Sequence, residues 1–334
     1  MNETPHASGL DVVAIGNAIV DVIAAASDDF IAAEGLTKGG MQLIDAGRAV
    51  ELYDRMGPGR EVSGGSAANT LAGLAALGSR TAFVGQVADD QLGAVFRHDL
   101  RAAGVRFDTP AREGEPPTGR CLVLVTPDGQ RTMNTFLGAS HYLPAETLDA
   151  DLIRAGKLLY LEGYMWDPEE PRAAMRRAIE AAREAGRQVA FGPSAVFVIE
   201  RYRDDFRALM ADGLIDILFA NEEEIEALMG CGHEDASAAA AREVPIVVTT
   251  HGERGATARR GDERVDVPAA PVERVVDTTG AGDLFAAGFL HGHVSGRVLE
   301  GSLRIGAICA AEVISHYGAR PEADLRALVA GLEV

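Results

Sequence analysis

The chain predicts an α/β fold: a doubly wound, mostly parallel sheet with helices on both faces, plus a small β-lid. Short β-branched runs alternate with alanine-rich helical stretches, the rhythm of a parallel sheet built from β-α units. The strand segments are apolar without alternation, as expected for strands covered on both faces. Two pairs of strand-like segments break the rhythm, and these are assigned to the lid.

In chain order the main-sheet strands are expected at Val12–Ile15, Thr81–Val84, Leu158–Leu161, Val189–Phe191, Ile215–Phe219 and Ile246–Thr249. Helices are expected at Ala67–Leu77, Leu92–Ala103, Pro171–Ala185, Glu222–Met229, Asp283–Val294 and Leu299–Ser315. The lid pairs are Ile19–Ala24 with Met41–Ile44, and Arg120–Thr126 with Thr132–Phe136, read as strands without intervening helices. Pro127-Asp128-Gly129 supplies the hairpin turn of the second pair. No internal repeat, low-complexity tract or long linker interrupts the chain. One domain over residues 10–330 is expected, with lid segments at about 19–44 and 118–137.

At 334 residues and 47% hydrophobic content, the chain can bury a large core. No apolar run is long enough to span a bilayer, and Met1–His6 is polar with no signal-peptide core. The three cysteines, Cys121, Cys231 and Cys309, are far apart and form no CxxC pair. Neither a disulfide framework nor a zinc site is indicated, and a reduced, cytoplasmic protein is expected. The net charge of −19 argues against nucleic acid as a partner. Any anionic substrate must therefore be held by a local device: a metal, backbone amides or a placed arginine.

The most informative segment is Asp277-Thr278-Thr279-Gly280-Ala281-Gly282-Asp283, followed at once by a small-residue apolar helix. The glycines permit a tight turn that points consecutive backbone N–H groups at one spot. At a helix N-terminus those groups lack partners, carry partial positive charge and suit a transferring phosphoryl group. Asp283 in the first turn is then a base beside an anion hole, which hydroxyl-to-phosphate transfer requires.

Other segments are weaker taken singly. Ser63–Ala72 holds paired glycines, Gly64 and Gly65, before a helix bearing Asn69; it allows close ligand approach, and is equally a structural turn. Asn17 and Asp21 follow the first strand, where α/β sheets bind ligands, and Asp21 can hold a diol or simply face solvent. Asn221 and Glu224, at a strand end and three residues on, suit a hydrated magnesium ion. Glu222 and Glu223 read as acids complementing the helix dipole. Thr249 to Gly255, with Gly252 between, can carry nucleotide phosphates or be a hairpin. GxxxxGK[ST] does not occur, and the GAG turn lacks the third glycine of GxGxxG, so P-loop and dinucleotide-binding enzymes are disfavoured.

Together these motifs resemble the ribokinase-like, phosphofructokinase B-type family of carbohydrate and nucleoside kinases, over nearly the whole chain from Val12 onward. The matching pieces are Gly64–Thr70, Gly85 with Asp90-x-x-Gly93, Asn221/Glu224 and Asp277–Asp283, in that order. Gly16–Val22, Lys38–Ile44, Arg131–Thr135 and Tyr160–Tyr164 are most similar to adenosine kinases of that family. The resemblance implies an ATP- and Mg²⁺-dependent kinase acting on the 5′-hydroxyl of adenosine. The alternative is a free sugar (ribose or fructose), or inosine or guanosine.

It further implies Asp283 as base, with Gly280, Ala281 and Gly282 as anion hole. Asp21, Gly64, Gly65 and Asn69 would hold the ribose, assisted by Asn17. Arg131 from the lid would neutralise phosphate charge, and Tyr164 or Phe136 would stack on a purine. Asn221, Thr249, Gly252, Gly255 and Thr278 would hold ATP, and Asn221 with Glu224 would organise Mg²⁺ through water. A monovalent cation, K⁺, would lie at Asp277, Thr279 and Ser315–Gly318. The expected partners are nucleoside and ATP, with no nucleic acid or membrane, in a monomer or homodimer. The sequence departs from the family at Gly192-Pro193-Ser194, where relatives often carry a polar or acidic residue.

Overall fold

The computed structural model describes residues 9–332; the polar Met1–His6 stretch lies outside them. The strands are β1 (Leu10–Ile15), β2 (Ile19–Ala25), β3 (Met41–Leu43), β4 (Arg60–Gly64), β5 (Thr81–Val84), β6 (Arg106–Phe107), β7 (Gly119–Val125) and β8 (Arg131–Phe136). They continue with β9 (Gly156–Glu162), β10 (Gln188–Gly192), β11 (Ile217–Asn221), β12 (Ile246–Thr250), β13 (Ala256–Arg260) and β14 (Glu263–Val267). The first six helices are α1 (Asp28–Ala33), α2 (Ala46–Arg55), α3 (Ser66–Ala76), α4 (Gln91–Ala102), α5 (Ala150–Ala155) and α6 (Glu169–Glu184). The others are α7 (Val196–Ala211), α8 (Glu222–Met229), α9 (His233–Ala240), α10 (Ala281–Val294), α11 (Leu299–Val313) and α12 (Leu325–Val329).

The main sheet has nine strands in the order β14-β13-β12-β11-β10-β9-β1-β5-β6. All neighbours pair in parallel except β12–β13 and β13–β14, which are antiparallel. Successive strand residues feed opposite cores, the physical content of being doubly wound. Val12, Ala14, Leu158 and Tyr160 pack with Leu284, Phe289 and Leu303 of α10 and α11. Val13, Ile15, Leu159 and Leu161 pack with Met175, Ile179 and Phe206 of α6 and α7. The strand order reverses at β1, between β9 and β5, so the crevice beyond the carboxyl ends of these strands is the expected ligand site.

A second, five-stranded sheet has the order β3-β8-β7-β2-β4 and is the lid. The β7–β8 hairpin forms as expected, with Gly129 N–H donating to Thr126 O at 2.8 Å. Two expectations need correction. Helices do intervene: α1, capped by Ser27 on Phe30 N, and α2, capped by Asp45 on Arg48 N, lie between the first lid strands. They are short and charge-rich, so their periodicity is easily lost among polar residues. The lid also takes a fifth strand, β4, so its first segment extends to Gly64. One lid face carries Val22, Leu122 and Leu124, which pack on Ile31 and Leu52 of α1 and α2. The other carries Ile19, Cys121 and Val123. Asp90 of the Asp90-x-x-Gly93 motif caps Gly93 N at 2.7 Å and accepts from Thr118 N at 2.8 Å, anchoring the root of β7.

Candidate active site

Gly280 is the N-cap of α10 in the left-handed region (φ 79°), and an added Cβ would lie 2.7 Å from that of Ala319. Ala281 N–H, expected as an anion donor, is spent on Thr278 O at 3.2 Å, which leaves the N–H groups of Gly282 and Asp283 without a partner among the described residues at this helix N-terminus. Asp283 sits in the first turn. Its Oδ1 accepts from Ser66 Oγ at 2.6 Å and its Oδ2 from Asn69 Nδ2 at 2.9 Å. Burial raises its pKa above the ordinary carboxylate value, opposed by those two hydrogen bonds and by Arg320.

Asn69 Oδ1 is buried without a hydrogen-bond partner, an acceptor held ready in the site. Asp21, on β2, faces the same space. Among the described residues its carboxylate accepts no hydrogen bond, and burial pushes it up to about 7, opposed by Arg320 and Arg131. Gly64 leaves the room that this carboxylate occupies. Gly65 has φ 92°, and a Cβ there would lie 2.2 Å from Asn17 O, so the turn between lid strand and α3 tolerates only glycine. Asn17, expected to assist at the ribose, is anchored from behind by Glu162. Its N–H and its Nδ2 both donate to Glu162 Oε1, at 2.7 and 2.9 Å.

Arg131 reaches down from β8, but its guanidinium forms a buried ion pair with Asp277 rather than standing free for phosphate. Asp277 also accepts from Thr279 N at 3.0 Å and Gly318 N at 2.8 Å. With three partners on two oxygens, Asp277 here is the counter-ion of the lid arginine. Phe136 also departs from expectation: it stands opposite Arg120, whose guanidinium lies 5.5 Å over the Tyr53 ring of α2. It therefore occupies the lid face turned away from Asp21. The face toward the site carries Ile19, Cys121 and Val123, with Met133 and Leu137 packed on them. Tyr164 pairs with Phe197 at 6.2 Å between centroids, and its phenol is held un-ionised by burial near Glu162 and Asp283. Ser194, at φ 77°, accepts from Gly163 N at 2.9 Å and donates to Gly192 O at 3.1 Å. This clamps the strand end that departs from the family pattern onto the turn bearing Tyr164.

On the other side of Asp283 lies a cleft of about 620 Å³. Gly252, Gly255, Thr278 and Gly282 form its polar edge; Val272, Phe285 and Ala311 are among its apolar walls. Thr249 is not part of it: it is buried, with Oγ1 on Ser237 Oγ at 3.3 Å, and Thr250 takes the lining position one residue on. Strand alternation decides this. Asn221 and Glu224 form a reciprocal capping box for α8, each bond 2.9 Å. One Glu224 oxygen is thereby engaged and the other left for water. No cluster of three or more His, Cys, Asp or Glu able to hold a metal occurs among the described residues. That donor set fits a hydrated Mg²⁺ carried by phosphates, not one caged by protein. Glu222 does more than complement a dipole, since it meets His251 at 2.7 Å and Arg254 at 2.5 Å and ties down the Gly252–Gly255 turn.

Sequence reasoning assigned no role to Ser66, Glu162 or Arg320. Only Ser66 carries a local signal, as a hydroxyl directly after the glycine pair.

The profile of the pfkB family carbohydrate kinases matches residues 11–325. The chain is similar to the solved structure of adenosine kinase from Sinorhizobium meliloti, at 48% identity and TM-score 0.92, covering 97% of this chain and 99% of that one. A probable sugar kinase from Rhizobium etli is similar at 44% identity and TM-score 0.92, covering 97% and 98%. Adenosine kinase of Saccharomyces cerevisiae is 29% identical over 92% of this chain and 95% of its own. On these matches the chain belongs to the pfkB family, a ribokinase-like carbohydrate or nucleoside kinase close to adenosine kinase and a phosphotransferase with an alcohol acceptor.

Proposed function

We propose that the chain transfers the γ-phosphoryl group of ATP to the 5′-hydroxyl of adenosine, giving AMP and ADP. The observation that carries this is the position of Asp283, directly after the cleft-lining Gly282 and with Ser66 and Asn69 on its carboxylate. The carboxylate takes the hydroxyl proton as the acceptor oxygen bonds to γ-phosphorus, the bond to the β,γ-bridging oxygen breaks, and ADP leaves. The N–H groups of Gly282 and Asp283 stabilise charge growing on the transferred group. Mg²⁺, when bound, neutralises phosphate charge, with Glu224 and Asn221 the residues to hold its waters.

Asp21 and the unpartnered Asn69 Oδ1 would accept hydrogen bonds from a ribose diol, which any furanose offers. The apolar lid face and the Tyr164–Phe197 pair favour a purine over a bare sugar, whose hydroxyls would lose water there without partners. The test is a side-by-side comparison of kcat/KM for adenosine, inosine, ribose and fructose with ATP and Mg²⁺. Adenosine is expected to exceed the free sugars by orders of magnitude. A free sugar outperforming it overturns the acceptor assignment and leaves a sugar kinase.

A further inference from the structure

Arg320 follows α11 and belongs to none of the motifs above. Its Nε and Nη2 donate to Ser63 O at 3.3 and 3.2 Å, and Nη2 also to Ser63 Oγ at 3.1 Å. Nη1 donates to Ala68 O at 2.5 Å. Ser63 is the penultimate residue of lid strand β4, just before the Gly64–Gly65 turn. Ala68 lies in the first turn of α3, between Ser66 and Asn69, the two residues that hold Asp283. One planar fork therefore spans the turn joining the lid to the base-holding helix, which a flexible ammonium could not do.

The opposite side of the same helical turn is gripped by a carboxyl group. The N-cap of α3 is Gly65, which offers no side-chain cap. Glu162, from the end of β9, supplies it instead, accepting from Ala67 N at 2.7 Å while holding Asn17. Consecutive residues of α3 are thus fixed by a carboxyl group on one N–H and a guanidinium on one C=O.

Charge points the same way. Asp283 bears on Asp21 from the lid, Glu162, Tyr160 and Tyr164, and the charged group that bears on Asp283 in turn is Arg320. The groups that act on Arg320 are Asp21, Asp283 and Asp99. The other nearby cation, Arg131, is taken up by Asp277. Arg131 also bears on Asp21, but Arg320 is the cation that bears on both Asp21 and Asp283.

We propose that Arg320 is a positioning residue for phosphoryl transfer: it locks β4 to the first turn of α3, so fixing Asp283, and supplies the positive charge that lets Asp21 and Asp283 share one site. This rests on Asp283 being the base. The test compares Arg320→Gln, Arg320→Lys and Asp283→Asn with wild type, using its best acceptor, through pH profiles of kcat and kcat/KM and thermal unfolding. Arg320→Gln is expected to lower kcat by about tenfold or more and to move the acid limb to higher pH by about one unit. Arg320→Lys is expected to restore the acid limb, because the charge is kept, but not kcat, because the fork is lost. A folded Gln variant with wild-type kcat and acid limb overturns the proposal, even if its melting temperature falls. If the Gln variant does not fold, the Lys variant decides: wild-type kcat or a shifted acid limb overturns the proposal. An active Asp283→Asn enzyme refutes the base assignment itself. An inactive one beside an indifferent Arg320→Gln overturns this inference alone.

Discussion

Replacing Asp283 by asparagine separates chemistry from architecture. The two contacts of the carboxylate, 2.6 Å from Ser66 Oγ and 2.9 Å from Asn69 Nδ2, can both survive the change. An amide oxygen still accepts from Asn69, while the Ser66 hydroxyl rotates to accept from the new NH₂ group. Acceptor binding should therefore change little. The proton acceptor is gone, and a general base contributes about 10²–10⁴-fold, or about 3–5 kcal/mol of barrier. Stability should hold or rise, because burial already penalises the ionised carboxylate and the amide carries no charge. Steady-state ADP release with saturating ATP and Mg²⁺ reads kcat, calorimetry reads acceptor affinity, and thermal unfolding reads the fold. A kcat within about threefold of wild type refutes the reasoning. So does a collapsed melting temperature, which would make Asp283 a structural residue first.

Two further substitutions probe the frame around the base. Burial holds Glu162 at about 7 against an ordinary 4.5. A folded-state pKa above the unfolded one means that its contribution is complete below the unfolded value and lost as pH rises through about 7, a change of about 3 kcal/mol at about 1.4 per pH unit. Wild type should thus lose stability between about pH 5 and pH 8, and Glu162→Gln should flatten that decline; parallel stability profiles would contradict it. Gly65→Ala forces a Cβ to 2.2 Å from Asn17 O at φ 92°, and the backbone strain alone costs about 1–3 kcal/mol. Lower melting temperature and lower kcat/KM are expected, and a variant indistinguishable from wild type would refute the need for glycine at this turn.

The features that the sequence by itself determined are those whose causes lie within a few residues. The GAG turn and the helix it opens, the glycine pair before α3, the unalternating strands and the β7–β8 turn all follow from local backbone preference and periodicity. Their shared arrangement at the carboxyl edge follows from strand topology, which the β-α rhythm already implied. What only the tertiary structure decided are contacts between residues far apart in the chain. Glu162 reaches Ala67 across 95 positions and Arg320 reaches Ser63 across 257, and neither has a neighbour that marks it. Arg131 pairs with Asp277 instead of standing free because the lid folds over the loop before the anion hole. Phe136 and Thr249 were each displaced from the site by one residue of strand alternation, since register flips every side chain to the opposite face. Local sequence sets which backbone groups are available; packing between distant segments sets which charges meet.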